Sequence, residues 1–158
     1  MKFKKYALLI LIMCTLCLSI KSVSPQSGNI IQKETVYVPA YSSIFHNDLR
    51  REFKLSITLS IHNIDLKNKI IFDSIDYYNT SGKLIHRYIN KNKIILQPLE
   101  TYNLGIKEAD DRGGIGANFI IKWHAQSKVN KPIIETIMIS TKSQQGISFT
   151  SRGVTIDE

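Results

Sequence analysis

The arginines are the residues of this sequence whose chemistry is most specific. After residue 22 arginine occurs at only five positions, whereas lysine is common. Lysine supplies charge, but the planar guanidinium of arginine adds a fork of donors that fits a carboxylate or a phosphate. Three of the five arginines lie in stretches that also carry aromatic or hydroxyl side chains. The sequence therefore predicts a cationic binding surface made of Arg50, Arg51, Arg152, Tyr41, Ser148 and Thr150.

This surface requires that two distant parts of the chain meet. Arg50 and Arg51 begin one predicted strand, and Arg152 ends the last one. Two such strands can lie side by side at one end of a sandwich, where they would bind an anionic ligand or an envelope protein. Alternatively, Arg152 could form an ion pair with Asp48 or Glu52 of the same protein, which would fix the last strand in place without any ligand.

A glycine-rich acidic loop at residues 110–116 is the second candidate. Asp110 and Asp111 could offer oxygen ligands to Ca²⁺, although their spacing does not match an EF-hand and a hairpin turn explains the same residues. Zinc or copper would need imidazoles that converge. No closely spaced pair occurs among the histidines His46, His62, His86 and His124. We predict no metal and no cofactor, with Asp110 and Asp111 as the candidates if a cation binds.

Catalytic motifs are absent from the sequence. A serine hydrolase needs a nucleophile, a base and an orienting group in register, but neither a G-x-S-x-G elbow nor an S-x-x-K motif occurs. Carboxylates such as Glu52 and Asp73 could meet across strands for glycosidic chemistry. A non-enzymatic protein is the main prediction, and an envelope hydrolase that uses polar residues near 110–116 is the alternative.

Charge and cysteine content narrow the class of protein. The net charge of +8 includes four lysines in or beside an apolar leader, and removing residues 1–22 leaves about +4. The remaining basic residues are dispersed among acidic ones, which argues against nucleic-acid binding. Cys14 and Cys17 both lie in the leader, so the rest of the chain has no disulfide and no thiol chemistry.

The first 22 residues are typical of a secretory signal. Three lysines within residues 2–5 precede an apolar run at 6–20, and the signal peptide could be cleaved after Ser19 or Ser22. We expect an exported, periplasmic or otherwise extracytoplasmic protein. An uncleaved membrane anchor and lipid attachment at Cys17 are the alternatives, and membrane association would depend on this segment alone.

The elements that must position the candidate residues are strands. Within residues 50–63 apolar and polar residues alternate, which gives a strand one buried face and one exposed face. About eight such segments, separated by turns, predict an all-β protein, an immunoglobulin-like antiparallel β-sandwich. Its bounds are a signal peptide at 1–22, a linker at 23–33, the sandwich at 34–153 and a tail at 154–158. The predicted buried residues are Leu55, Ile57, Leu59, Ile75, Phe119, Ile121, Ile137 and Ile139.

Four stretches of the chain resemble a bacterial family of proteins known only as domain of unknown function 3124. They are VYVPAYS at 36–42, RREF at 50–53, GGIGANF at 113–119 and GISFTSRG at 146–153. The resemblance implies an exported or surface-bound bacterial protein without an assigned activity, and it brings no catalytic residues. Residues 77–85 and 95–101 are also similar to the middle strands of bacterial immunoglobulin-like accessory domains. Such domains bind partners or act as spacers rather than catalyse reactions.

Overall fold

A computed structural model describes residues 30–46, 51–141 and 146–156 of the chain. Within these residues the structure is all-β, apart from a single 3₁₀ turn at Gly114–Gly116. The twelve strands are β1 (Ile30–Pro39), β2 (Ser43–His46), β3 (Arg51–Lys54), β4 (Ser56–His62), β5 (Ile70–Tyr78), β6 (Leu84–Arg87), β7 (Ile94–Leu96), β8 (Thr101–Ile106), β9 (Asn118–Asn130), β10 (Ile133–Ser140), β11 (Ile147–Arg152) and β12 (Val154–Ile156).

These strands form three antiparallel sheets. The larger sheet has the order β12-β1-β9-β5-β6, and β7 is its sixth strand because it also pairs with β5. A four-stranded sheet has the order β11-β10-β4-β8, and β2 and β3 form a separate hairpin. Strands β9 and β4 are therefore central strands, with hydrogen-bonded neighbours on both sides.

Alternation along the central strands builds one core shared by the two main sheets. In β4 the side chains of Ile57, Leu59 and Ile61 are buried, whereas the residues between them, except Ser60, are more exposed. In β9 the same rule buries Phe119, Ile121 and Trp123. The predicted burial of Leu55, Ile57, Leu59, Ile75, Phe119 and Ile121 is confirmed.

The predicted burial of Ile137 and Ile139 is wrong. In β10 the residues that face the core are Ile134, Thr136 and Met138, while Ile137 is half-buried and Ile139 is 39% exposed. The register with β4 explains the difference, because Met138 lies opposite the buried Ile57. β10 has isoleucine on both faces, so alternation alone does not determine which face is buried.

The strands extend beyond the predicted limits of the sandwich at both ends. β1 begins at Ile30, inside the predicted linker, and Val154–Ile156 pairs with β1 rather than forming a tail. The single strand predicted at 50–63 is divided at Leu55 into β3 and β4. The predicted signal peptide at 1–22 lies outside the described residues. Among the described residues, no helix has the length and apolar character needed to cross a membrane.

Candidate functional site

Three of the predicted binding residues share one surface. Ser148, Thr150 and Arg152 alternate along β11 and are exposed. The residues between them point the other way, and Phe149 packs against the core. The three polar side chains therefore stand on the outer face of the four-stranded sheet.

The neighbouring strand adds apolar side chains to this face. Ser148 lies opposite Ile139, Thr150 opposite Ile137, and Arg152 opposite Glu135. The next strand contributes Ser56 and Thr58 beside the same isoleucines. We call this outer surface of β11, β10 and β4 the hydroxyl–isoleucine face. It is a sheet surface of small hydroxyl groups and isoleucines, with the Arg152 guanidinium on the edge strand β11 and the Glu135 carboxylate beside it on β10.

Tyr41 and Arg51 are not part of this face. The ring centroid of Tyr41 lies 5.9 Å from that of Phe149, which is on the opposite side of β11 from Thr150. Arg51 belongs to the β2–β3 hairpin, where its partner is His46. Across β10, Ser148 is level with Ser56 at the start of β4, whereas Arg152 is level with Ser60, further along β4. Arg51 precedes the start of β4, so it lies away from Arg152.

The internal pairing proposed for Arg152 is not found among the described residues. Glu52 instead accepts a hydrogen bond from Ser43 Oγ at 2.6 Å. Within the part of the chain that the structure describes, the Arg152 guanidinium has no ion pair, although Glu135 is its direct partner in the ladder. Arg50 and Asp48 lie outside the described residues.

The carboxylates of the acidic loop form ion pairs with cationic side chains. Arg112 donates to both oxygens of Asp110, with each distance 2.7 Å, and Lys54 Nζ lies 2.5 Å from Asp111 Oδ2. These hydrogen bonds lower the pKa of both aspartates. In the described ranges no group of three or more His, Cys, Asp or Glu side chains could hold a metal ion. The loop is thus held by ion pairs.

A groove crosses the outer face of the six-stranded sheet, with an imidazole–carboxylate pair in its wall. His124 Nδ1 lies 2.6 Å from Asp73 Oδ2, and Lys93 Nζ lies 2.5 Å from the other oxygen of the same carboxylate. The groove has a volume of about 620 Å³. We call it the lysine groove, and its lining is Lys33, Glu34, Thr35, Asp73, Lys93, Lys122, Trp123, His124, Thr155 and Ile156.

Two irregularities of strand pairing lie beside this groove. β5 has a bulge between Phe72 and Ser74, so that Asp73 is turned to the side of His124. The pairing of β1 with β9 shifts between Ile31 and Lys33, next to the pair Lys33 and His124. Bulges re-aim side chains and are frequent beside functional sites. These two place charged groups from three strands and a loop at one location.

Residues 33–156 match the protein family described as "Protein of unknown function (DUF3124)". The chain belongs to the DUF3124 family. The resemblance seen in the sequence is confirmed, and the DUF3124 match covers almost all of the described strands. A search of curated proteins found no match.

One solved structure is similar, the Thermotoga maritima protein titled "Crystal Structure of Thermotoga maritima 1070". It is 11% identical, with a TM-score of 0.45, and the alignment covers 77% of this chain and 92% of that one. A likeness of this size carries no argument about the function of the DUF3124 chain.

The DUF3124 stretches at 36–42 and 113–119 meet at a structural junction. The amides of Ala40 and Ser42 donate to the carbonyls of Ala117 and Gly114. A Cβ on Gly113 would lie 2.0 Å from the Tyr77 hydroxyl, so only glycine fits there. Burial raises the pKa of Tyr77 to about 12, and the adjacent Ser42 hydroxyl opposes that increase. These DUF3124 motif residues hold the fold together at this junction.

The sequence did not predict a row of hydrogen-bonded polar side chains on the outer face of β4. Ser60 Oγ lies 2.9 Å from His62 Nε2 and donates to Asn103 Oδ1 at 2.8 Å, while Thr101 Oγ1 lies 3.0 Å from His62 Nδ1. The parity of Ser60 and His62 predicted a shared face, but their partners come from β8. A hydroxyl, not a carboxylate, orients this imidazole, and the Ser60 proton is already donated, so the set does not form a catalytic triad.

Proposed function

We propose that this DUF3124 protein is an exported, non-enzymatic domain of the immunoglobulin-like sandwich type. It binds a partner protein of the bacterial cell envelope through the hydroxyl–isoleucine face. The apolar run at 6–20, preceded by lysines, supports export. The extended sheet face, with isoleucines between hydroxyl side chains, supports protein binding rather than catalysis.

The observation that carries the proposal is the environment of Arg152. Its guanidinium is exposed and has no ion pair within the described residues, and on the same face Glu135 lies directly opposite it and Ile137 lies diagonally beside it. A guanidinium next to apolar surface favours a partner that presents a carboxylate to it. The residual charge of about +4 after removal of the leader favours an acidic partner as well.

No specific observation favours the hydrolase alternative near residues 110–116. Both aspartates of that loop are paired with cations, and their pKa values are lowered. A general acid would need the opposite shift, because it must carry a proton near neutral pH.

Cross-linking in cells tests the binding face. A photo-reactive residue replaces Ile139, and the matched control replaces Ile120, which is half-buried on the outer face of the six-stranded sheet. We expect an envelope protein to cross-link at position 139 and not at 120. Arg152→Glu should abolish the product, and Arg152→Lys should reduce it without lowering stability.

Three results would contradict the proposal. Equal cross-linking at positions 120 and 139, or a product that persists in Arg152→Glu, would exclude this face. A product that contains only two copies of this chain would assign the face to self-association. Mass spectrometry of the mature N-terminus tests export separately, with cleavage expected after Ser19 or Ser22, and a full-length cytoplasmic product would refute it.

A further inference from the structure

Three large apolar side chains are exposed on two adjoining loops at one end of the two main sheets. Ile64 and Leu66 lie in the loop between β4 and β5, and Leu99 lies in the loop between β7 and β8. Leu66 is 72% exposed and Leu99 is 66% exposed. The amide of Asn63 donates to the carbonyl of Glu100, which joins the two loops. We call Ile64, Leu66 and Leu99 the apolar tips. Exposed apolar groups that share one place on a surface mark a site of interaction.

The loops that carry the apolar tips are held in fixed shapes. Asn63 Nδ2 lies 2.9 Å from the carbonyl oxygen of Asn68 in its own loop. It also lies 3.2 and 2.9 Å from the carbonyl oxygens of Leu96 and Gln97, where the second loop begins. The Gln97 amide in turn donates to Glu100 Oε2 at 2.7 Å. The apolar tips are therefore preorganised, and little entropy is lost when they meet a partner.

Leu99 has a backbone conformation that a leucine disfavours. Its φ is 62°, and among the described residues it is the one residue other than glycine with a positive φ. The left-handed region is costly for side chains that have a Cβ, and asparagine and aspartate tolerate it best after glycine. The fold gains little packing in return, because most of the Leu99 side chain is exposed. Strain that persists without internal packing supports a function for this side chain outside the protein.

Exposed lysines with no ion pair in the described part of the chain lie beside the apolar tips, and they are Lys67, Lys69 and Lys128. Lys128 lies at this end because its neighbour Ser127 donates to Asn68 Oδ1 at 3.1 Å. The two loops contain two carboxylates. Asp65 is buried and satisfied by donors of the protein itself, which leaves Glu100 as the exposed one. Apolar side chains flanked by lysines fit a bilayer surface, which is apolar below its headgroups and often negatively charged.

The apolar leader is joined to the domain at this same end. Ile30, the first residue of β1, pairs with Asn130, and the Asn130 amide donates to Asp65 Oδ2 at 3.0 Å. Only residues 21–29 lie between the apolar run at 6–20 and β1. A leader that stayed in the membrane would therefore be connected to the end of the domain that carries the apolar tips.

We propose that the apolar tips insert into the surface of an anionic lipid bilayer. Ile64, Leu66 and Leu99 enter the boundary between headgroups and acyl chains, while the lysines stay among the lipid phosphates. This contact does not require the leader, which the sequence alone offered as the sole means of membrane association. It also leaves the hydroxyl–isoleucine face exposed, so it does not rest on the proposed function.

Fluorescence from a tip residue tests insertion directly. Leu66→Trp places an indole on a tip, and Trp123, the only tryptophan of the natural chain, is buried and gives a constant background. The full chain is purified in the form in which cells make it and is mixed with vesicles of phosphatidylcholine and phosphatidylglycerol whose acyl chains carry bromine, which quenches indole on contact. We expect the emission of Leu66→Trp to be quenched.

The matched control is Val154→Trp. Val154 is 61% exposed, but it lies opposite Tyr37, further along β1 from the apolar tips. We expect the emission of Val154→Trp to stay unchanged on the same vesicles. Because quenching reports where the indole lies, a leader that holds the chain on the vesicle does not produce the same result.

Substitutions separate the two contributions to binding. Leu99→Asn removes one apolar tip and suits the left-handed backbone, so it should weaken vesicle binding about tenfold without lowering the urea midpoint. Val154→Thr removes exposed apolar surface elsewhere and should leave binding unchanged. Replacing Lys67 and Lys69 together by Gln should weaken binding about tenfold when phosphatidylglycerol is present, and leave binding to phosphatidylcholine alone unchanged.

Three results would overturn the proposal. Equal quenching of Leu66→Trp and Val154→Trp, or no quenching of either, would show that the tips do not insert. Vesicle binding that Leu99→Asn leaves unchanged, or that Val154→Thr reduces equally, would show that the tips do not make the contact. A photo-reactive residue at Leu66 that cross-links a protein in cells, with no quenching on vesicles, would assign the tips to a protein partner. None of these results affects the cross-linking expected at position 139, so the two proposals fail separately.

Discussion

Asp65 holds the turn between β4 and β5, and its removal gives a sharp test of the structure. Its Oδ1 accepts from the amides of Lys67 and Asn68 at 2.9 and 2.8 Å and from Asn68 Nδ2 at 3.1 Å. Its Oδ2 accepts from the amide of Asn130 at 3.0 Å, which ties the turn to the end of β9. The residue is only 7% exposed. One carboxylate therefore satisfies four donors.

The expected loss follows from these bonds. A hydrogen bond to a charged group contributes about 1.5–3 kcal/mol, but water reaches part of this turn once the side chain is gone. We expect Asp65→Ala to lower the free energy of unfolding by about 2–4 kcal/mol. Asp65→Asn keeps the acceptor for the turn amides and places an NH₂ group against the Asn130 amide, so its loss should be about half as large. Urea denaturation at neutral pH measures both.

The same carboxylate makes stability depend on pH. Hydrogen bonds from the Asn130 and Lys67 amides lower the pKa of Asp65 from 3.8. Its contribution is therefore complete above pH 3.8 and is lost as the pH falls through the lower pKa of the folded state. The advantage of the wild type over Asp65→Asn should shrink in that acidic range. A loss below about 1 kcal/mol for Asp65→Ala, or a difference between wild type and Asp65→Asn that does not change with pH, would refute the reasoning.

Three further predictions concern packing, and denaturation experiments check each of them. Ile57→Ala should lower the free energy of unfolding by about 2–5 kcal/mol because Ile57 is fully buried. Ile139→Ala should lower it by under about 1 kcal/mol because Ile139 is partly exposed. Equal losses for the two variants would contradict the register of β10. Gly113→Ala should cost about 1–3 kcal/mol, since its Cβ would overlap the Tyr77 hydroxyl, while Gly105→Ala has open space and serves as the control. Gly153→Ala should also destabilise, because its Cβ would lie 2.6 Å from Val36 Cγ1, and an unchanged midpoint would show that the backbone adjusts there at little cost.

Much of the fold could be predicted because its central strands carry a single periodicity. In β4, isoleucine and leucine fall on one parity only, so the pattern identifies the buried face. In the first half of β9, Phe119, Ile121 and Trp123 share one parity and only Ile120 departs from it. β10 has apolar residues on both parities, and only its register with β4 determines which face is buried. Local sequence does not contain that register, because it depends on a strand that lies far away in the chain.

The candidate sites were harder to predict for the same reason. Ser148, Thr150 and Arg152 lie on one strand, so alternation alone places them together. Asp73 and His124 meet only because β5 has a bulge next to β9, and no local pattern identifies a bulge. A spacing argument that looks for histidine pairs along the chain passes over such a site. The sequence did show which residues were charged, but not which charges were neighbours.

Gly153 joins two strands that belong to different sheets. β11 pairs with β10 in the four-stranded sheet, and β12 then pairs with β1 in the six-stranded sheet, so that Thr35 lies opposite Ile156. The first described strand therefore has its second neighbour only when residues 154–156 are present. Pairings this distant in sequence form slowly, because a long loop must close first. During synthesis β1 therefore leaves the ribosome before either of its partners, β9 and β12, has been made, whereas the hairpin of β2 and β3 can pair at once.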